Sequence, residues 1–162
     1  MTTTSVLNAT FSHIGICVSD IKRAKHFYKD AFGFMEGAVF ESKNDINDLL
    51  GLSGKVEMTS QMLTLGSIII ELIYFKEPDA FASGNLRPMN QCGLTHLSFI
   101  VEDVDKAAAH LEACGARILH TTRTVLDSTT GGDPAVLIFC TDPDGTRIEL
   151  YKPPSGWQAD KP

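Results

Sequence analysis

The sequence predicts an α+β fold, two tandem βαβββ modules that form one curled mixed sheet. Three observations carry that prediction. First, TFSHIGICVSDIKRAKHFYKDAFGF (10–34) is echoed in order by GLTHLSFIVEDVDKAAAHLEACGA (93–116). His13 falls on His96, Val18 on Val101, Asp20 on Asp103, Ala24 on Ala107 and, one gap later, Gly33 on Gly115. Second, the triplet Ile-Glu-Leu recurs late in each half, at residues 70–72 and 148–150. Third, each copy passes from strict alternation to helical spacing and then to runs divided by turn residues. Repetition at this scale means one supersecondary unit used twice.

The elements follow in order. HIGICV puts Ile14, Ile16 and Val18 on one face, and His13, Gly15 and Cys17 on the other. Ser19 or Asp20 caps the helix that follows, whose apolar face is Ile21, Ala24, Phe27, Tyr28 and Ala31. Gly33 stands where the helix end needs a left-handed residue. Strands are expected at about 35–41, 56–65 and 68–75. KNDINDLLGLSG (43–54) has no counterpart in the second half and reads as an inserted short helix.

In the second copy Leu97, Phe99 and Val101 oppose His96, Ser98 and Ile100, and Asp103 caps a helix facing inward with Val104, Ala107, Ala108, Leu111 and Cys114. Strands follow at about 116–125, 135–141 and 146–152, the last two split by the turn DPDG. The chain is thus one domain over 1–162: module one at about 10–76, a linker at 77–92 with Pro78, Gly84 and Pro88, module two at about 93–152, and a tail at 153–162 expected to be loose beyond Pro154.

Composition narrows the function. A chain of 162 residues with 43% hydrophobic and 21% charged residues buries a real core, so disorder is not expected. A net charge of −6 argues against nucleic acid or anionic membrane as partner, since both need basic patches. No apolar run reaches membrane-spanning length, and MTTTSVLNATF lacks the basic and apolar segments of a signal peptide, so a cytoplasmic location is expected. Cys17, Cys92, Cys114 and Cys140 show no paired spacing and read as reduced structural thiols.

The alternation then places four polar residues on the inner face. With Ile70 and Leu72 turned to the helix, Glu71 faces the cavity beside Ile69 and Ile73; with Ile148 and Leu150 turned back, Glu149 faces it with Arg147 and Tyr151. His13 and His96 share that face. One such His is ordinarily a satisfied side chain, and one such Glu is ordinarily solvated. Four at repeat-equivalent places are better explained by one divalent cation, whose charge two carboxylates balance while two neutral imidazoles complete the protein ligands. His13, Glu71, His96 and Glu149 are therefore the expected metal ligands, for Zn, Ni, Co, Mn or Fe. His26, His110 and His120 read as surface residues.

With these motifs in view, FSHIGICVSDIKRAKHFYKDAFGF, IIIELIYF, GLTHLSFIVEDVD and DPDGTRIELYK make the chain resemble the vicinal oxygen chelate superfamily, over most of residues 11–152. That group includes glyoxalase I, methylmalonyl-CoA epimerase, extradiol dioxygenases and fosfomycin- and bleomycin-resistance proteins. The resemblance implies paired βαβββ modules around a metal-binding cavity. It implies a divalent-metal-dependent isomerase or lyase, glyoxalase I-like or epimerase-like, that moves a proton α to a carbonyl through a metal-stabilised enolate or enediolate. Glu149, Glu71 or Glu57 would move the proton; Glu57 in GKVEMTSQM falls roughly where the epimerase carries a catalytic Glu.

Glu71 departs from the two-His, one-carboxylate set of an Fe(II) extradiol ring-cleaving dioxygenase, which is the alternative enzyme. A non-catalytic drug-binding resistance protein is the other alternative, and it would need no metal set. Gly15, Cys17 and Ser98 leave room for a small carbonyl-containing substrate. Asn85, Arg87 and Arg147 are candidate contacts for an anionic one, and DSTTGGDP (127–134) is a candidate lid or a plain turn. Exposed sheet edges make a homodimer the expected assembly. Whether the site closes within one chain or across two stays open at this point, as does the substrate.

Overall fold

The structure is a computed structural model that describes residues 9–43, 46–81, 86–127 and 131–157. The first module runs β1 (Ile14–Val18), α1 (Ile21–Phe32), β2 (Met35–Lys43), a one-turn α2 (Asn47–Leu50), β3 (Glu57–Leu65) and β4 (Ile68–Glu77). The second runs β5 (Leu97–Ile100), α3 (Val104–Ala113), β6 (Arg117–Leu126), β7 (Ala135–Thr141) and β8 (Arg147–Lys152). The expected α+β order is met, the inserted helix included.

Local chemistry explains the boundaries. Asp20 sits in extended backbone and its carboxylate accepts from the N–H groups of Lys22 and Arg23; Asp103 does the same for Asp105 and Lys106. Gly33 ends α1 at φ 78°, a conformation that costs any residue with a Cβ. The turn 142–145 is tied by Asp142, whose carboxylate accepts from the N–H groups of Asp144 and Thr146.

The two modules share one topology. The strand order is β1-β4-β3-β2 in one four-stranded sheet and β5-β8-β7-β6 in the other, with β1 parallel to β4 and β5 parallel to β8. Each helix covers one face of its sheet. Ile16, Val18, Ile70 and Leu72 bury under Ala24, Phe27 and Tyr28, and Ile138, Cys140, Ile148 and Leu150 join the same cluster with Ala108 and Leu111. The other face of each sheet stays partly open and carries the polar alternates.

The tandem βαβββ modules each form their own mixed sheet: among the described residues no ladder joins β1 to β5, and the two sheets do not close on each other. The modules meet through side chains instead. Phe32 of α1 stacks on Phe99 of β5 with ring centroids 4.0 Å apart, and His110 Nε2 lies 3.0 Å from the Asp30 carbonyl oxygen. Tyr28 Oη donates to Asp142 at 2.9 Å, and Arg23 pairs with Asp144 at 2.7 Å.

Residues 155–157 of the tail make contacts with the second module. Ser155 Oγ accepts from the Asp133 N–H, and Trp157 meets Tyr151 edge-on. The same contact fastens the far side of the 127–134 loop to the tail; residues 128–130 of that loop, Asn85 and residues 158–162 lie outside the described residues. Among the described residues no helix is long and apolar enough to cross a membrane.

Candidate metal centre

The parallel pairing of β1 with β4 sets Gly15 beside Glu71, and that of β5 with β8 sets Ser98 beside Glu149. In each module the His therefore precedes the strand end and leans toward the Glu of the neighbouring strand. His13 Nε2 lies 3.2 Å from Glu71 Oε2, and His96 Nε2 lies 3.6 Å from Glu149 Oε2. The carboxylates are the more enclosed partners, with side-chain exposures of 18% for Glu71 and 14% for Glu149.

A hydroxyl aims each imidazole. Ser12 Oγ is 2.9 Å from His13 Nδ1, and Thr95 Oγ1 is 2.9 Å from His96 Nδ1. In the tautomer that donates Nδ1–H to the hydroxyl, Nε2 turns its lone pair toward the carboxylate. Two lone-pair donors at that distance repel unless a proton or a cation lies between them. Cis ligands on a divalent transition ion sit about 3.0–3.5 Å apart, given bond lengths near 2.0–2.2 Å. The His13–Glu71 pair has that spacing and the His96–Glu149 pair lies just beyond it, each with one nitrogen and one oxygen. A hydrogen bond to the remote nitrogen is also how metal-ligating histidines are oriented. The residues present thus fit a divalent cation.

The chain brings these residues together as two pairs, not as four. Among the described residues, no three His, Cys, Asp or Glu side chains group closely enough to hold a metal ion. The four expected ligands thus stand as two His–Glu pairs, one on each of the two separate sheets.

The two half-sites differ in one respect. Ser98 Oγ donates to Glu149 Oε2 at 2.7 Å, whereas Gly15 offers Glu71 no donor. A Cβ at Gly15 would meet Ile73 Cδ1 at 3.2 Å and come within 4.0 Å of Glu71 Oε2, so the glycine keeps β1 close against β4. Apart from His13, Glu71 has no polar partner among the described residues.

Glu57 is not brought to either pair. It lies opposite Glu77 while Met62 lies opposite Glu71, five residues along β3, or about 17 Å. Its carboxylate is ringed by Lys76 at 3.0 Å, Lys43 at 3.3 Å and Lys55 at 3.7 Å, and the Lys76 and Lys43 ammonium groups hold it below the usual range. Arg147 is also engaged: it donates to the Arg87 carbonyl and to Met89 Sδ, and lies over the Phe139 ring. Burial pushes the Cys17 thiol up, and Asp144 adds to the shift, so Cys17 is a weak nucleophile at neutral pH.

Sequence reasoning passed over Ser12 and Thr95, whose hydroxyls stand beside Nδ1 of His13 and His96. The available signal was a hydroxyl residue directly before the His in both copies.

Residues 10–150 match the profile of the Glyoxalase/Bleomycin resistance protein/Dioxygenase superfamily. The uncharacterized protein YaeR of Escherichia coli is 34% identical over 144 residues, which cover 86% of this chain and 93% of that protein. The lactoylglutathione lyase of Schizosaccharomyces pombe is 26% identical over 156 residues, covering 91% of this chain but only 49% of the lyase. Among solved structures, a glyoxalase family protein from Bacillus cereus superposes with a TM-score of 0.72, at 22% identity and over 94% of this chain and 97% of that one. At that identity the likeness speaks for the fold alone.

Proposed function

The chain belongs to the Glyoxalase/Bleomycin resistance protein/Dioxygenase superfamily, and from that premise we propose that it is a divalent-metal-dependent isomerase or lyase moving a proton α to a substrate carbonyl. The observation that carries the reading is the pair of repeat-equivalent His–Glu contacts, His13–Glu71 and His96–Glu149. Together they offer two nitrogens and two oxygens to one Zn, Ni, Co, Mn or Fe ion. Such an ion supplies Lewis acidity, lowering the cost of negative charge on a carbonyl oxygen when the adjacent proton leaves.

The chain's own residues supply the rest. Ser12 and Thr95 fix the imidazoles, and Ser98 fixes Glu149. Glu71 accepts no such hydroxyl bond and keeps the oxygen turned away from His13 unengaged among the described residues, so it is the group that takes the proton. Glu149 is the second carboxylate able to return it. Glu57 is left in its lysine cluster. The half-open inner faces, with Gly15 and Ser98 at their centres, admit a small carbonyl compound.

Each half-site is completed by a second copy in this reading, so that the His13–Glu71 pair of one chain meets the His96–Glu149 pair of the other. Two observations support a homodimer. Both β1 and β5 are free edges of their sheets, and the first module leaves Met35, Val39 and Phe40 of β2 more than half exposed. The matched lyase is also about twice as long as this chain, the length that two copies supply.

The test is solvent deuterium exchange followed by proton NMR, using a thiohemiacetal of a 2-oxoaldehyde and an acyl-CoA thioester as substrates. Deuterium entering the α-carbon, and lost in Glu71→Gln, is the expected result. Oxygen consumption with a catechol and no exchange would move the chain to ring cleavage. No turnover of any of these, with a planar drug bound instead, would make it a binding protein.

A further inference from the structure

The two half-sites are flanked by different side chains. In the first module the β3 residue opposite Glu71 is Met62, and in the second the β7 residue opposite Glu149 is Phe139. Phe139 reaches the histidine as well as the carboxylate's strand. Its ring meets the His96 imidazole at 69° with centroids 5.3 Å apart, inside the range of edge-to-face aromatic contacts. Among the described residues no aromatic ring lies against His13, whose side chain is 35% exposed against 24% for His96.

Phe139 is itself held. The Arg147 guanidinium carbon stands 5.8 Å from its ring centroid, within reach of a cation–π contact. Arg147 is fixed in turn, because Nη2 donates to the Arg87 carbonyl at 2.7 Å and Nη1 to Met89 Sδ at 2.9 Å. A line of contacts thus runs from the linker through Arg147 and Phe139 to His96.

That line supplies what the hydroxyl cannot. A hydrogen bond at one nitrogen fixes where that atom sits, and leaves the imidazole free to tilt about it. Thr95 Oγ1 stands at His96 Nδ1, and a ring packed against the imidazole takes up the remaining freedom. A phenyl ring suits this task because it brings no donor of its own to compete for the Nε2 lone pair.

We propose that Phe139, backed by Arg147, is a positioning residue that keeps His96 Nε2 turned to Glu149. The orientation stands on these contacts, and its consequence for a bound cation rests on the proposed function. The second half-site is then the pre-set one of the two. It has Thr95 and Phe139 on its histidine and Ser98 on its carboxylate, where the first has Ser12.

Three variants separate orientation from packing. Phe139→Met places the first module's residue in the second, Phe139→Tyr keeps the ring, and Arg147→Gln removes the backing charge. Long-range proton–nitrogen correlation spectra of metal-free, isotopically labelled protein report the tautomer of His96, whose signals are assigned with His96→Gln. Wild type and Phe139→Tyr should show one tautomer, Phe139→Met a mixture, and Arg147→Gln a smaller shift in the same direction. Zinc affinity, read by competition with a chromophoric chelator, should fall about 10–100-fold in Phe139→Met, the range for a lost outer-shell partner. Phe139→Tyr should bind zinc as wild type does. A His96 tautomer unchanged in Phe139→Met would overturn the proposal, and so would equal loss of zinc in the Met and Tyr variants. Should Phe139→Met fail to fold, Arg147→Gln carries the same comparison, and an unchanged tautomer there would overturn the proposal too. A wild type that binds no zinc would sink the metal reading instead, with the metal-free spectra still deciding the role of Phe139.

Discussion

At the scale of the residue, the decisive feature is a hydroxyl behind each histidine. Ser12 and Thr95 sit on the Nδ1 side of His13 and His96, and the Nε2 atoms point at Glu71 and Glu149. Thr95→Ala should weaken metal affinity about 10–100-fold, measured by competition with a chromophoric chelator. Unchanged affinity would mean the hydroxyl is only a neighbour. The two His–Glu contacts were legible in sequence because strand alternation and the repeat point to the same faces. The orienting hydroxyls were not, since a Ser or Thr before a His has no period to mark it.

Asp142 is the other residue with a physical consequence. Burial raises its pKa above the usual carboxylate range, against hydrogen bonds from Thr146 and Tyr28 that pull it down. A folded-state pKa raised above the unfolded one means the native state binds the proton more tightly. The contribution of Asp142 to stability is then greatest at low pH and falls as pH rises through its folded pKa. Urea melts of wild type and Asp142→Asn from about pH 4 upward should show wild type losing ground relative to the variant, whose residue does not titrate. A difference independent of pH would contradict this.

At the scale of the element, α1 couples the modules as well as covering its own sheet. The Tyr28 hydroxyl crosses 114 positions of sequence to reach Asp142, and both groups are buried. Tyr28→Phe leaves the ring packed and removes the hydroxyl that bonds Asp142 and meets the Thr146 side chain, so it should cost about 1.5–3 kcal/mol in urea unfolding, the range for a bond to a charged group. A loss near zero would mean that water replaces the hydroxyl. Strands and helices were read correctly because caps such as Asp20 and Asp103, and turns such as DPDG, are local signals. The contact from α1 to the 142–145 turn was not, because its partners share no local pattern.

At the scale of the whole molecule, the sheets stand apart and the two His–Glu pairs stand on different sheets. No periodicity reports how two modules of one chain sit beside each other, so the sequence left that arrangement open. Exchange of modules between copies predicts complementation. His13→Ala and His96→Ala should each lose the metal, and their unfolded and refolded mixture should regain roughly a quarter of it, because half the dimers are mixed and each holds one intact site. A site closed within one chain would regain none.

The most direct measurement is metal content per chain by inductively coupled plasma mass spectrometry, on untagged wild type and on Glu71→Gln. About one divalent transition ion per chain, weakened by the substitution, is the predicted result. No metal in either protein, even after reconstitution, would contradict the His–Glu site and the proton-transfer chemistry built on it.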